Sequence, residues 1–140
     1  MKLIVTIVAL IPIYSFANLT MRANVICTGV AYSLNGTNSC DRLSGEANII
    51  CKGVAVGATG ILSCDHLDGD ANSICRGVAY GLYNSNYCNK LGGVAKTVCV
   101  GSVYGANGTS NCGSLSGDEK TVCTGFANGF FGGTSHCSNL

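Results

Sequence analysis

The sequence predicts a mainly α protein: a disulfide-stapled solenoid of five 24-residue repeats, each one short helix plus a return segment. Three observations predict it. The ten cysteines, Cys27, Cys40, Cys51, Cys64, Cys75, Cys88, Cys99, Cys112, Cys123 and Cys137, alternate in gaps of thirteen and eleven, with one extra residue in the last unit. Leu19, Leu43, Leu67, Leu91 and Leu115 keep the same beat. Counted from those leucines, apolar residues recur at positions 1, 5, 8, 9, 12, 13 and 16, a helical spacing rather than a strand spacing. The units are therefore about 19–42, 43–66, 67–90, 91–114 and 115–140.

Ahead of the repeats, Met1 and Lys2 precede an apolar run from Leu3 to Phe16, and Ser15-Phe16-Ala17 has the small residues a signal peptidase requires. Residues 1–17 are expected to be a signal peptide and 18–140 a single repeat domain. The run is shorter than the ~20 apolar residues that span a bilayer, and no later stretch is apolar enough, so no transmembrane segment is expected in the mature chain. The expected location is secreted or extracytoplasmic, including the periplasm.

Helix starts are marked by Ser44-Gly45-Glu46, Asp68-Gly69-Asp70 and Ser116-Gly117-Asp118-Glu119, where a capping oxygen precedes first-turn acids; the last has the form of a capping box. Gly57, Gly81, Gly105 and Gly129, with Gly36, Gly60 and Gly108 nearby, mark the far ends. Helices of roughly twelve to fourteen residues follow, each with a short extended return carrying the second cysteine.

Glycines at positions 11 and 15 (Gly53 and Gly57, Gly77 and Gly81, Gly101 and Gly105, Gly125 and Gly129, with Gly29 and Ser33 in the first unit) lie four apart. Each costs a helix about 1 kcal/mol relative to alanine, so a neighbour's close approach must compensate. The glycine strip of one helix is expected against a small strip of the next, formed by the position 13 alanines and the position 6 polar residues.

The cysteines allow two regular pairings. Pairing within units, Cys27 with Cys40 through Cys123 with Cys137, leaves none over, whereas the shifted pairing of Cys40 with Cys51 and onward strands Cys27 and Cys137. Parity favours the first. Reach agrees: seven helical residues climb ~10 Å, and four extended residues descend ~13 Å. Loops this short stabilise by roughly 3 kcal/mol per bridge in the chain-entropy model. A β-solenoid is the alternative fold, partly supported by alternation at Ala47, Ile49, Cys51, Gly53 and Ala55; it would turn Ile50, Val54 and Ala58 outward.

Small side chains bury little area, so covalent staples are expected to supply part of the stability. Regular, even cysteines in an exported chain are where disulfides form. Apart from Lys2, basic and acidic residues balance, which gives no footprint for nucleic acid or an anionic membrane. No C-x-x-C occurs, so no zinc site is expected. His66 and His136 sit beside Cys64 and Cys137 without recurring, and solvated loop positions explain them better than a Cys/His nucleophile. Carboxylates are scattered rather than convergent, so neither an enzyme nor a cofactor is expected.

Candidate binding residues lie on the outward helix positions: Tyr32, Lys52, Val56, Arg76, Tyr80 and Tyr104, whose Tyr and basic content suits a contact surface. The expected function is a secreted, non-catalytic scaffold for a protein or glycan surface, as solenoids commonly provide. The alternatives are a structural envelope component or a secreted effector or toxin. Ice binding is a more distant one, suggested by Thr37, Thr109 and Thr134 in one column, which Ile61 and Ser85 interrupt. Asn18-Leu19-Thr20, Asn35-Gly36-Thr37 and Asn107-Gly108-Thr109 have the N-glycan acceptor pattern.

Overall fold

The structure, a computed structural model, describes residues 19–140; the expected signal peptide and Asn18 lie outside the described residues. Each unit supplies one helix: Ala23–Ser33, Gly45–Gly57, Gly69–Tyr83, Gly93–Gly105 and Gly117–Gly132. Each helix leads into a short strap: Thr37–Cys40, Ile61–His66, Ser85–Lys90, Thr109–Ser114 and Thr134–Cys137. No strand occurs among the described residues, so the repeat is helical and the β-solenoid does not form.

The straps are not extended, as the sequence suggested, but one turn of α-helix or two turns of 3-10 helix. The chain reverses through Gly36, Gly60, Gly108 and Gly133, all at positive φ, a conformation glycine adopts without steric cost. Tight i to i+3 bonds then take over: Ser39 N–H donates to the Gly36 carbonyl and Ser63 N–H to that of Gly60. Helix starts depart from expectation too. Ser44, Asp68 and Ser116 occupy the N-cap, but none makes a side-chain capping bond, and the Ser116–Glu119 box does not form. The chain instead turns into the second to fifth helices through a glycine at positive φ: Gly45, Gly69, Gly93 and Gly117.

Glycine contacts set the packing. A Cβ at Gly53 would lie 2.7 Å from the Ile74 side chain and 2.9 Å from the Ala71 carbonyl; one at Gly57 would lie 2.7 Å from the Cys75 carbonyl. Position 11 thus meets positions 5 and 8 of the next helix, and position 15 meets positions 9 and 12, so neighbouring helices run parallel. The glycine strip does face the following unit. Its partner, however, is the Ile/Val flank and the backbone beneath it rather than the alanine and polar strip, because removing a side chain lets a helix sit directly on a β-branched neighbour.

The same register recurs across the chain ends. A Cβ at Gly125 would lie 2.7 Å from Ile26 and 2.7 Å from the Ala23 carbonyl. Position 11 of the fifth helix meets positions 5 and 8 of the first, with no offset along the axis, and these two helices pack together as the others do. The solenoid therefore closes into a ring of five parallel helices.

Ring closure corrects the cysteine pairing. The bridges are Cys40–Cys51, Cys64–Cys75, Cys88–Cys99, Cys112–Cys123 and Cys27–Cys137. Each strap leans over the seam and bonds the next helix; the two cysteines a linear array would strand meet at closure. Parity fails as a criterion because it assumes free ends.

Ile26, Val30, Ile50, Val54, Ile74, Val78, Val98, Val122 and Phe126 fill the ring axis. Full burial of such side chains contributes about 1.5–3 kcal/mol each. Ser102 takes position 12 of unit 4, where the first three units have valine; it is fully buried, and its hydroxyl donates to the Cys99 carbonyl at 3.1 Å. Phe126 in the next unit restores the lost volume. What remains open is about 20 Å³, lined only by apolar residues.

The chain itself covers the N-terminal mouth of the ring. Leu19 and Met21 pack against the axial core. Between them Thr20 donates from its N–H and its hydroxyl to Glu46 Oε1, at 2.9 and 2.8 Å. Arg22 stands 3.5 Å from Glu46 Oε2 as an ion pair. Hydrogen bonds from Thr20, the backbone one first, hold the Glu46 carboxyl below its ordinary pKa, with Arg22 adding to the effect against the opposing cost of burial.

Candidate functional site

Positions 10 and 14 of each helix point away from the axis, between the strap before and the strap after. Over the fourth and fifth helices this leaves a radial groove whose floor is helix and whose walls are straps. The clearest one lies over the fourth helix. Its walls are Ser85, Cys88 and Asn89 from one strap and Asn111 from the next; its floor is Val100, Val103, Tyr104 and Asn107; it encloses about 670 Å³. The Asn107 amide donates to the Val103 carbonyl and the Asn111 amide to the Asn107 carbonyl. Neither amide oxygen accepts a hydrogen bond from the described residues. A second groove, of about 490 Å³, lies over the fifth helix between Asn107-Gly108-Thr109 and His136, with Asn128 and Phe131 on its floor.

The six sequence-predicted contact residues occupy this outward belt, but the ring does not bring them together. Tyr32, Val56, Tyr80 and Tyr104 each belong to a different helix, so successive ones are turned by a fifth of a revolution. A flat partner cannot touch all four. Several also have local tasks. Lys52 lies 3.6 Å from Asp41, and Arg76 lies 3.3 Å from Asp65, each beside a bridge and pairing with the preceding strap. Val56 packs on the apolar cluster of Cys64, Cys75 and Ala79, together with Ile61 and Leu67. Tyr80 stacks on Tyr87 of its own strap at 5.6 Å. Tyr87 in turn meets Tyr83 at 5.8 Å and lies 4.6 Å beneath the Lys90 ammonium. Over the third helix the same belt is thus occupied by side chains of its own unit. Tyr104 stands more exposed over an open groove.

Sequence reasoning did not bring together Asn89, Asn107 and Asn111, which give the open groove its polar lining. They recur imperfectly and read as turn residues; only the straps' positions over the seams turn them toward a neighbouring helix. All ten cysteines are paired and none is free, so no thiol nucleophile stands beside His66 or His136. Among the described residues no group of three His, Cys, Asp or Glu converges as a metal site would need, and no helix is long and apolar enough to cross a membrane. Thr37, Thr109 and Thr134 begin three of the straps, around the ring rather than in a straight rank. No protein family, curated protein or solved structure matches the chain.

Proposed function

We propose that this chain is a secreted, non-catalytic binding scaffold whose radial grooves take glycan chains, with the groove at Tyr104 as the principal site. One observation carries the proposal: an exposed aromatic ring on a floor walled by asparagine and serine, with no charged group among the lining residues. A sugar ring offers an apolar face to an aromatic side chain and hydroxyls to amide oxygens, and such a groove satisfies both without an ion pair. No acid or base lies in that groove to activate water, which favours binding over hydrolysis. Paired cysteines throughout agree with an oxidising compartment.

The test is a glycan array probed with the oxidised protein, wild type and Tyr104→Ala. Selective binding that falls about fivefold or more in the variant supports the proposal, since truncating an aromatic anchor covered by the ligand costs about 1 kcal/mol or more. Binding unaffected by Tyr104→Ala, or no glycan bound at all, overturns it.

A further inference from the structure

The two ends of the ring differ in chemistry. Every Asp, Glu, Lys and Arg of the described residues lies at the level of the disulfides or on the N-terminal side of it. Lys52 and Arg76, each directly following a bridged cysteine, are the furthest toward the other end. Beyond them no unit carries a formal charge, and the one titratable imidazole is His136, adjacent to Cys137.

That charge-free end is also where the axial core is left open. The N-terminal mouth is covered by Leu19 and Met21, but no described residue crosses the C-terminal one. Leu34, Leu82 and Phe130 continue the inward face of their helices and are about half exposed. Around them Leu62 is 83%, Tyr83 81% and Phe131 62% exposed. Phe126 in the core stacks on Phe130 at 6.0 Å, and Phe130 meets Phe131 edge-on at 5.1 Å. The apolar column thus runs from the axis out to the surface.

We infer that this end docks on the interface of an uncharged lipid membrane. Three features choose that occupant. Excluding charge from one end of every unit is what contact with a low-dielectric medium requires, since an unpaired charge there is costly. The large residues are uneven, with Ala58 and Ala106 standing where Leu34, Leu82 and Phe130 stand in the other units, a profile that fluid acyl chains accommodate and a rigid partner face does not. The end lacks the lysines and arginines that draw a protein to anionic lipid, so binding is independent of lipid charge and of salt. This surface does not include Tyr104 but meets the radial grooves at Asn107 and Phe131, so separate reporters at Phe131 and Tyr104 tell lipid contact from glycan binding.

The chain has no tryptophan, which gives a clean probe. Phe131→Trp places a reporter at the end, and Tyr104→Trp places one in the groove, each in the oxidised full-length mature protein. With phosphatidylcholine vesicles, the Phe131→Trp emission is expected to shift to the blue and to be quenched by lipids brominated on their acyl chains, whereas Tyr104→Trp is not. Bound fraction in co-sedimentation is expected to be unchanged by added phosphatidylserine or by high salt, and to fall at least about tenfold for Leu82→Ser with Tyr83→Ser. No binding to phosphatidylcholine, binding only to anionic vesicles, or a self-dimer abolished by the same two substitutions would overturn the inference. So would an N-glycan on Asn35 of the natural protein, because that residue lies at this end.

Discussion

The seams leading into units 2 and 3 and those leading into units 4 and 5 share one disulfide and one glycine contact, yet they differ in everything polar. In the former, the position 6 amide reaches back to the preceding strap: Asn48 donates to the Cys40 and Leu43 carbonyls at 2.7 and 3.1 Å, and Asn72 to those of Cys64 and Leu67 at 2.7 and 3.0 Å. One turn on, Lys52 and Arg76 pair with Asp41 and Asp65. In the latter, those positions are Lys96 and Val100, then Lys120 and Thr124, and Asn89 and Gly113 replace the aspartates. Bridge and glycine contact recur at every seam, closure included, so they define the ring; the amide clamps and ion pairs strengthen part of it.

The largest effect is expected where the bridges themselves differ. Cys27–Cys137 spans 110 residues and the others 11, so the chain-entropy model gives about 4–5 kcal/mol for the closing bridge and about 3 for a local one. Denaturant unfolding of Cys27→Ser with Cys137→Ser should therefore show a greater loss than Cys64→Ser with Cys75→Ser; equal losses would mean that closure adds nothing to the denatured-state constraint. Glycine substitution is next. Gly53→Ala and Gly101→Ala should each destabilise by about 1–3 kcal/mol despite a better helix former, because the added Cβ meets Ile74 or Val122. Gly113, with nothing near its Cβ direction, should tolerate alanine.

Clamp substitutions sharpen the contrast between the two pairs of seams. Asn72→Ala should cost about 1–3 kcal/mol by leaving the Leu67 carbonyl unpaired, the Cys64 carbonyl keeping the Leu67 N–H, while Lys96→Ala should change thermal stability little. The exposed Arg76–Asp65 pair should contribute no more than about 1 kcal/mol, falling with salt. Smallest and most local is the Thr20–Glu46 tether. Its carboxyl pKa is lowered in the folded state, so its stabilisation is present above the ordinary glutamate value of about 4.3 and is lost as pH falls through the lower folded value. The exchange protection factor of the Thr20 amide should fall over that acid range, and Glu46→Gln should abolish that change.

Much of the fold was legible because helical period and cysteine period are both local properties. The single main helix per repeat and the glycine strip facing the next unit follow from residues such as Ile50, Gly53 and Val54. Closure was not legible, since nothing within a unit states the rotation between neighbours. One clue to the pairing was nevertheless present. Position 9 and position 11 lie about 200° apart around a helix, so if Gly53 faces the following unit, Cys51 faces the preceding one, where Cys40 arrives. Estimating reach along the axis alone fixed the level of the bridge without its side. The candidate contact residues were placed on the correct outward belt, but an open array stacks them whereas a ring fans them out. Tyr104 keeps its open groove while Tyr80 is stacked on Tyr87, which no column of the repeat foretells.

Mapping the bridges of the oxidised protein by digestion without reduction, followed by mass spectrometry, tests the ring most directly. The account predicts a cross-linked peptide joining Cys27 to Cys137, with Cys40 found on Cys51. Cys27 on Cys40 with Cys123 on Cys137, or free thiols at the two terminal cysteines, would contradict it.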